Sequence, residues 1–284
     1  MNKKRIPPKK IHTYVRAGIQ LLFFLFLPSA FTTAFSGIKS LMTQIGAGNP
    51  IALSSFLTVL LALCAYTIVF GRFFCGYACA FGTLGDAVHA LYLFLCKKCK
   101  KKPILLKKSW KKPLSLVKYL VLFVIVLLCF LGVYGELTGW SPWDVFSMLR
   151  SGNVEVGAYW LGCIVLALIL AGMVFCERFF CRFLCPMGAV FSLLPILPFF
   201  SVRRKKVNCA KGCTACEKVC PSDLSLPEDG SWNGNGDCFQ CQKCLEICPK
   251  KNAKGGVKFF RGNEVWFAVA RAVVLAAVLI LAGI

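Results

Sequence analysis

Acidic residues are scarce in this chain: 12 Asp and Glu stand against 34 Lys and Arg, and residues of either charge make up only 16% of it. With 57% of residues hydrophobic, that excludes an ordinary soluble domain, in which about a quarter of the residues are charged. Histidine is scarcer still. His12 and His89 are the only two, and both lie toward basic segments instead of within apolar runs. A membrane haem held by paired histidines is therefore excluded. Neither a dinucleotide-binding glycine fingerprint nor a phosphate-binding loop is present, so the chain has no visible means of oxidising a nicotinamide or hydrolysing a nucleotide.

Long apolar runs are what the sequence has in abundance. Four, roughly Tyr14 to Phe35, Ile51 to Phe70, Leu116 to Val133 and Val154 to Phe175, are long enough to cross a bilayer as helices. A fifth, from about Val265 to Ile284, carries Arg271, which must snorkel toward headgroups or face a protein interior. The formal charge of +22 does not point to nucleic acid, because the basic residues sit between the apolar runs. Lys3, Lys4, Arg5, Lys9 and Lys10 precede the first run, and nine lysines between Lys97 and Lys112 separate the second from the third. Arg203, Arg204, Lys205 and Lys206 follow the fourth, whereas the opposite loops hold only Lys39 and Arg150. The excess of positive charge on the inner side predicts a cytoplasmic N-terminus, middle loop and post-span segment. A cleaved signal peptide is the rival reading of the first run, although that run is long for a signal core.

The membrane region is an internal repeat. Arg72-Phe73-Phe74-Cys75-Gly76-Tyr77-Ala78-Cys79 recurs as Arg178-Phe179-Phe180-Cys181-Arg182-Phe183-Leu184-Cys185, 106 residues later. At the same offset Gly82 matches Gly188, Met42 matches Met148 and Gly46 matches Gly152. Two spans per copy give both copies one orientation, so they are expected to pack about an axis along the membrane normal with their Cys pairs facing at one depth. Spacing of four places each pair on one helix face, and Arg72 and Arg178 beside them favour thiolates. Cys75, Cys79, Cys181 and Cys185 are thus candidate ligands of a further redox-active metal, iron–sulfur or copper; the plain alternative is that they are small packing residues.

The densest cysteines lie in the Lys-rich segment after the fourth span. Cys209-x3-Cys213-x2-Cys216-x3-Cys220-Pro221 is followed by Cys238-x2-Cys241-x2-Cys244-x3-Cys248-Pro249. A disulfide scaffold would need a small secreted chain, and in the reducing cytoplasm such thiols bind metal. Zinc sites pair C-x2-4-C with a distant second pair, not four cysteines within a dozen residues closed by proline. The second run instead carries the spacing of bacterial ferredoxins, in which the fourth Cys of each run serves the other cluster. That crossing assigns Cys238, Cys241, Cys244 and Cys220 to one 4Fe–4S cluster, and Cys209, Cys213, Cys216 and Cys248 to a second. The first run has one extra residue between its first two cysteines, so Ala210–Gly212 must bulge, which Gly212 permits by accepting a positive φ.

Other features carry less. Cys64, Cys129, Cys163 and Cys176 sit within spans outside the motif and read as packing residues. Cys96-Lys97-Lys98-Cys99 supplies only half of a four-ligand site and reads as incidental thiols. His89 reads as an interfacial residue. Trp140-Ser141-Pro142-Trp143-Asp144 reads as an interfacial aromatic belt, or as the border of a quinone site with Glu136 or Asp144 handling protons.

Together the paired Arg-Phe-Phe-Cys-x3-Cys segments and the two proline-closed runs resemble the quinol-linked membrane ferredoxin subunit of periplasmic nitrate reductase systems. They also resemble the membrane ferredoxins of nitrous-oxide respiration and cytochrome-oxidase assembly. The resemblance covers about Tyr14 to Pro249; the family's membrane motif is Cys-x3-Cys-Pro, which the second copy keeps as Pro186 while the first has Ala80. It implies an electron-transfer component that exchanges electrons between quinol and a partner protein.

The expected architecture is an α-helical integral membrane protein of four to five spans with a small cytoplasmic ferredoxin-like α+β segment. Its parts are a membrane domain, 1–201, of two parallel repeats (14–95 and 120–201), a two-cluster domain, 202–258, and a C-terminal transmembrane helix, 259–284. The expected role is a membrane-anchored relay of electrons in a bacterial-type inner membrane, a component of an oxidoreductase system more than a stand-alone catalyst. Copper handling through the four membrane cysteines is the alternative, and a redox sensor ranks last for want of an output domain.

Overall fold

The computed structural model describes residues 8–106, 108–137, 139–152, 157, 159–197, 200–255 and 264–284. Lys3, Lys4, Arg5, Lys107 and Val154, on which the topology argument draws, lie outside them. Among the described residues ten α-helices come first: α1 (Pro8–Phe26), α2 (Ala30–Gly46), α3 (Ser55–Phe70), α4 (Phe73–Tyr77), α5 (Ala80–Lys98), α6 (Lys108–Phe130), α7 (Pro142–Ser151), α8 (Trp160–Phe175), α9 (Phe179–Phe183) and α10 (Pro186–Leu193). Then follow β1 (Val202–Lys205), α11 (Ala215–Lys218), β2 (Asp229–Trp232), α12 (Lys243–Ile247), β3 (Lys254–Gly255) and α13 (Glu264–Leu281). The sequence repeat is visible in this order: α3, α4 and α5 of the first copy recur as α8, α9 and α10 of the second.

The apolar runs are more broken than their composition predicts. Residues Trp110–Phe130 of α6 and Glu264–Leu281 of α13 form helices long and apolar enough to cross a membrane; the broken pair Ile11–Phe26 and Ala30–Gly46 adds a third if it is one span. The break in the expected Tyr14–Phe35 run falls at Leu27–Ser29. Pro28 has no N–H to give a helix, and its ring disfavours helical backbone at the residue before it. In the expected Ile51–Phe70 run the helix starts only at Ser55, where the Ser54 hydroxyl caps it by accepting from Leu57 N at 3.3 Å. With 16 residues each, α3 and α8 are about 24 Å long against a hydrocarbon core of about 30 Å.

Two compact units result. One comprises the described parts of Met1–Pro28, Leu63–Cys79 and Phe191–Leu281. In it α1, α4 and α13 pack together beside a three-stranded antiparallel sheet of order β2-β1-β3. Arg203 pairs with Trp232 and with Lys254 across that sheet, and its guanidinium stacks on the Trp232 ring at 4.8 Å. Val202, pointing the other way, is buried among Cys216, Leu226, Leu245 and Ala253, with Cys244 and Cys248 packed against them. So small a core is marginal by itself, and bound metal is the usual remedy at this size.

The second unit comprises the described parts of Ser29–Ala62, Ala80–Val190 and Ala282–Ile284. Its centre is aromatic. The Phe81 ring meets Phe31, Phe146 and Phe180 at centroid distances of 5.3, 4.8 and 4.9 Å, and Trp143 lies 4.7 Å from Phe35. The Trp140–Asp144 stretch is therefore not a belt as a whole. Ser141 caps α7 by accepting from Asp144 N at 3.2 Å, Pro142 occupies its first turn, and Trp143 turns into the core while Trp140 stays exposed.

Candidate metal centre

The second cysteine run is shaped by backbone conformations that side chains rarely adopt. Gln240 and Gln242 both take positive φ, +53° and +60°, and α12 begins at the next residue. Two left-handed residues among three curl the chain, so that residues three apart converge. Cys238, Cys241 and Cys244 accordingly line one pocket, and Cys220 and Cys216 of the first run line it as well. Pro221, Leu224, Leu226 and Phe239 complete the wall. Burial pushes the Cys238 thiol up to about 11, with Cys220 nearby adding to the rise. Burial also raises the Cys244 thiol well above its ordinary value, reinforced by Cys241, Cys238, Cys220 and Cys216. Thiols crowded in a dry pocket cannot ionise together unless a cation joins them, and soft thiolate donors select iron–sulfur, zinc or copper(I). Among the described residues no three Cys, His, Asp or Glu side chains close on a point as a ligand set for a single metal ion.

The first run is tied in differently. Asn252 donates from its backbone N to Cys248 Sγ and from Nδ2 to Cys209 Sγ, both at 3.2 Å. One residue, through its backbone N–H and its side-chain amide, thus brings the first cysteine of one run beside the last of the other. Arg204, only 3% exposed, donates to Cys216 Sγ at 3.0 Å and to the Leu226 carbonyl at 2.9 Å. Gly212 adopts φ +68°, the conformation that the extra residue after Cys209 requires. Hydrogen bonds of this kind, where the sulfur ligates a cluster, raise its potential by stabilising added negative charge.

The first membrane motif lies in the same unit, directly against the second run. A methyl group at Gly76 would come well under 3.0 Å from the Phe239 carbonyl, so only glycine lets α4 approach so closely. Arg72, 1% exposed, pairs with Asp237 at 3.2 Å and lies 4.7 Å over the Phe239 ring. From α1, Gln20 donates to the Gly76 carbonyl at 3.1 Å, Arg16 to the Cys241 carbonyl at 3.3 Å, and Thr13 to Glu246 at 2.7 Å. The segment Asp237–Glu246 is thus held from below by α1 and α4. Cys75 and Cys79 are buried there.

In the other unit Arg178, with a left-handed φ of +56°, forms a two-pronged ion pair with Asp86, Nε to Oδ1 at 3.0 Å and Nη2 to Oδ2 at 2.6 Å. Cys181 and Cys185 are buried beside it, and Gly188 N donates to Cys185 Sγ at 3.2 Å. Both motif arginines, read from sequence as thiolate-favouring neighbours, are also engaged by carboxylates. His89 is buried, 8% exposed, with Nδ1 3.0 Å from the Val174 carbonyl. Of the four cysteines read as packing residues, Cys129 and Cys176 are buried and Cys64 and Cys163 half-buried, whereas Cys99 is exposed just past the end of α5. No two of the 18 cysteines are joined in a disulfide. Asp237, Asn252, Arg204 and Arg16 escaped the sequence reading, since each acts across a long stretch of chain. Only the position of Asp237 next to Cys238 offered a signal.

Apolar helices and a thiol-lined pocket in a ferredoxin-type run define a membrane-associated iron–sulfur protein. A 4Fe-4S binding domain family matches residues 52–113 and 158–207, one match on each copy of the repeat, each including a Cys-x3-Cys pair. An uncharacterized protein of Methanocaldococcus jannaschii is 30% identical over 81% of this chain and 88% of its own length. Putative electron transport protein YccM of Escherichia coli is 26% identical, over 75% of this chain and 59% of its own. Ferredoxin-type protein NapH of Haemophilus influenzae is 24% identical, over 70% and 67%. No solved structure matches. This chain belongs to the membrane ferredoxin-type iron–sulfur proteins, and it is a membrane iron–sulfur electron-transfer protein.

Proposed function

We propose that the chain holds two 4Fe–4S clusters and relays single electrons between a quinol or cytoplasmic donor and a membrane or extracytoplasmic redox partner. The ligands are Cys220, Cys238, Cys241 and Cys244 for one cluster and Cys209, Cys213, Cys216 and Cys248 for the other. The observation that carries this reading is the pocket in which Cys220 and Cys216 of the first run meet Cys238, Cys241 and Cys244 of the second; crossed ligation takes Cys220 as the fourth ligand there. The Asn252 bridge between Cys209 and Cys248 supports the second set. Bound there, the clusters supply one-electron chemistry. The chain's own residues exclude water with Phe239, Leu224 and Leu226, donate to ligand sulfur from Arg204 and Asn252, and anchor the cluster loop to α1 and α4.

The two copies of the repeat form the membrane domain of a multi-pass protein of a bacterial-type inner membrane, and the distribution of lysine and arginine supports a cytoplasmic N-terminus and cysteine-rich segment. Cys75 and Cys79 in one copy, and Cys181 and Cys185 in the other, are further candidate thiolate ligands. The 4Fe-4S binding domain match on both pairs supports iron–sulfur there, and relatives called ferredoxin-type and electron transport proteins favour relay over copper handling.

Iron, sulfide, zinc and copper per chain after anaerobic purification test this. Eight irons with matching sulfide are expected of the two runs, and more than eight if the membrane cysteines are filled. Zinc or copper in place of iron would refute the proposal.

A further inference from the structure

Beyond its first residue, Glu264, the 18-residue helix α13 carries one charge, Arg271. Burying a lone guanidinium costs several kcal/mol unless negative charge lies near it, so its surroundings call for an explanation. It is 3% exposed. Nε is turned back on its own helix, donating to the Phe267 carbonyl at 3.3 Å, and Nη1 is buried without a hydrogen-bond partner. No carboxylate pairs with it among the described residues. What it does meet is α4: the guanidinium lies 4.6 Å over the Phe73 ring, and Phe73 stacks on Tyr77 at 4.2 Å. The Tyr66 hydroxyl donates to the Arg271 carbonyl at 2.9 Å and fixes the helix at that level. One residue on from Cys75, Gly76 touches the loop between Cys238 and Cys241. Cys238 itself lies within electrostatic reach of Arg271.

We propose that Arg271 is the buried counter-cation of the cluster held by Cys220, Cys238, Cys241 and Cys244, and sets that cluster's reduction potential above what its thiolates alone would give. The proposal rests on the ligand assignment of the preceding section. Four thiolates bring negative charge into a dry pocket, and the orphaned guanidinium supplies the opposite charge without an intervening carboxylate to cancel it. Two other guanidinium groups lie at this loop: Arg72, already paired with Asp237, and Arg16, which donates to the Cys241 carbonyl. One electron taken up at the pocket adds one negative charge and breaks no bond, while Arg271 keeps its proton throughout. Arg271 is therefore a positioning charge, not a ligand: it favours the reduced state of this cluster over that of its neighbour, whose sulfur-bonded arginine, Arg204, is faced by Glu217 at 3.6 Å.

The test is an EPR-monitored potentiometric titration of the full-length, anaerobically purified protein as wild type, Arg271→Met and Arg271→Lys. In Arg271→Met the equilibrium constant for reducing one cluster is expected to fall at least tenfold, which is 59 mV for a one-electron couple. The other cluster keeps its potential, and Arg271→Lys stays within threefold of wild type. Two clusters that both keep their wild-type potentials in Arg271→Met overturn the inference, as does a Lys variant displaced as far as the Met variant. If Arg271→Met loads no iron, the Lys variant decides: a wild-type potential sustains the proposal and a tenfold fall overturns it. A wild type with only one iron–sulfur signal would instead overturn the ligand assignment, a distinguishable result.

Discussion

Replacing Gly76 with alanine adds one methyl group and no charge, yet it should unseat a cluster. The added Cβ would lie well under 3.0 Å from the Phe239 carbonyl oxygen, a backbone atom of the loop between Cys238 and Cys241. That oxygen cannot swing aside as a side-chain tip would, so either α4 or the cysteine loop must move. Overpacking of this kind costs about 1–3 kcal/mol, and the gain of about 1 kcal/mol from placing alanine in a helix offsets only part of it. The net loss of up to about 2 kcal/mol falls on the loop that carries two of the four proposed ligands of one cluster. Gly76→Ala protein should therefore come away from anaerobic purification with about half the wild-type iron and one EPR signal missing. Gly18→Ala is the control: it lies within α1, nothing stands within 4 Å of its added Cβ, and it should keep full iron. Should Gly76→Ala retain wild-type iron, both EPR signals and the wild-type melting temperature, the close seating of the loop on α4 is wrong.

Three further outcomes are expected. Asn252→Ala removes the Nδ2 donor to Cys209 Sγ; a hydrogen bond to a charged acceptor contributes about 1.5 kcal/mol, so the potential of one cluster should fall by up to about 60 mV, read by redox titration. Asp86→Ala leaves Arg178 buried without its carboxylate at 2.6 Å, which should cost about 3–5 kcal/mol and lower the melting temperature. The double variant Asp86→Leu with Arg178→Met should recover much of that loss, and a double variant as unstable as the single one would refute the pairing. Cys99, exposed just past the lysine-rich end of α5, should react with a membrane-impermeant maleimide in inverted vesicles and not in right-side-out ones. The opposite labelling would reverse the proposed orientation.

Spacing alone made the ferredoxin-type runs, the duplicated Cys-x3-Cys motif and the apolar character of the chain legible, because each is a local property. Thiolate ligands must recur at short intervals, a duplicated segment keeps its register, and a span must be apolar over its whole length. Breaks were less legible. Pro28 and Ser54 interrupt or delay helices within runs whose hydropathy is continuous, since a missing N–H or a capping hydroxyl changes backbone geometry without changing mean hydropathy. Tertiary structure alone decided what each buried charge meets. Arg72 finds Asp237 across 165 residues, Arg178 finds Asp86 across 92, and Asn252 reaches Cys209 across 43. Arg271 finds the Phe73 ring in place of a carboxylate. A charge in a dry interior takes whatever partner the fold brings within a few ångströms, and that choice leaves no periodic trace in the sequence.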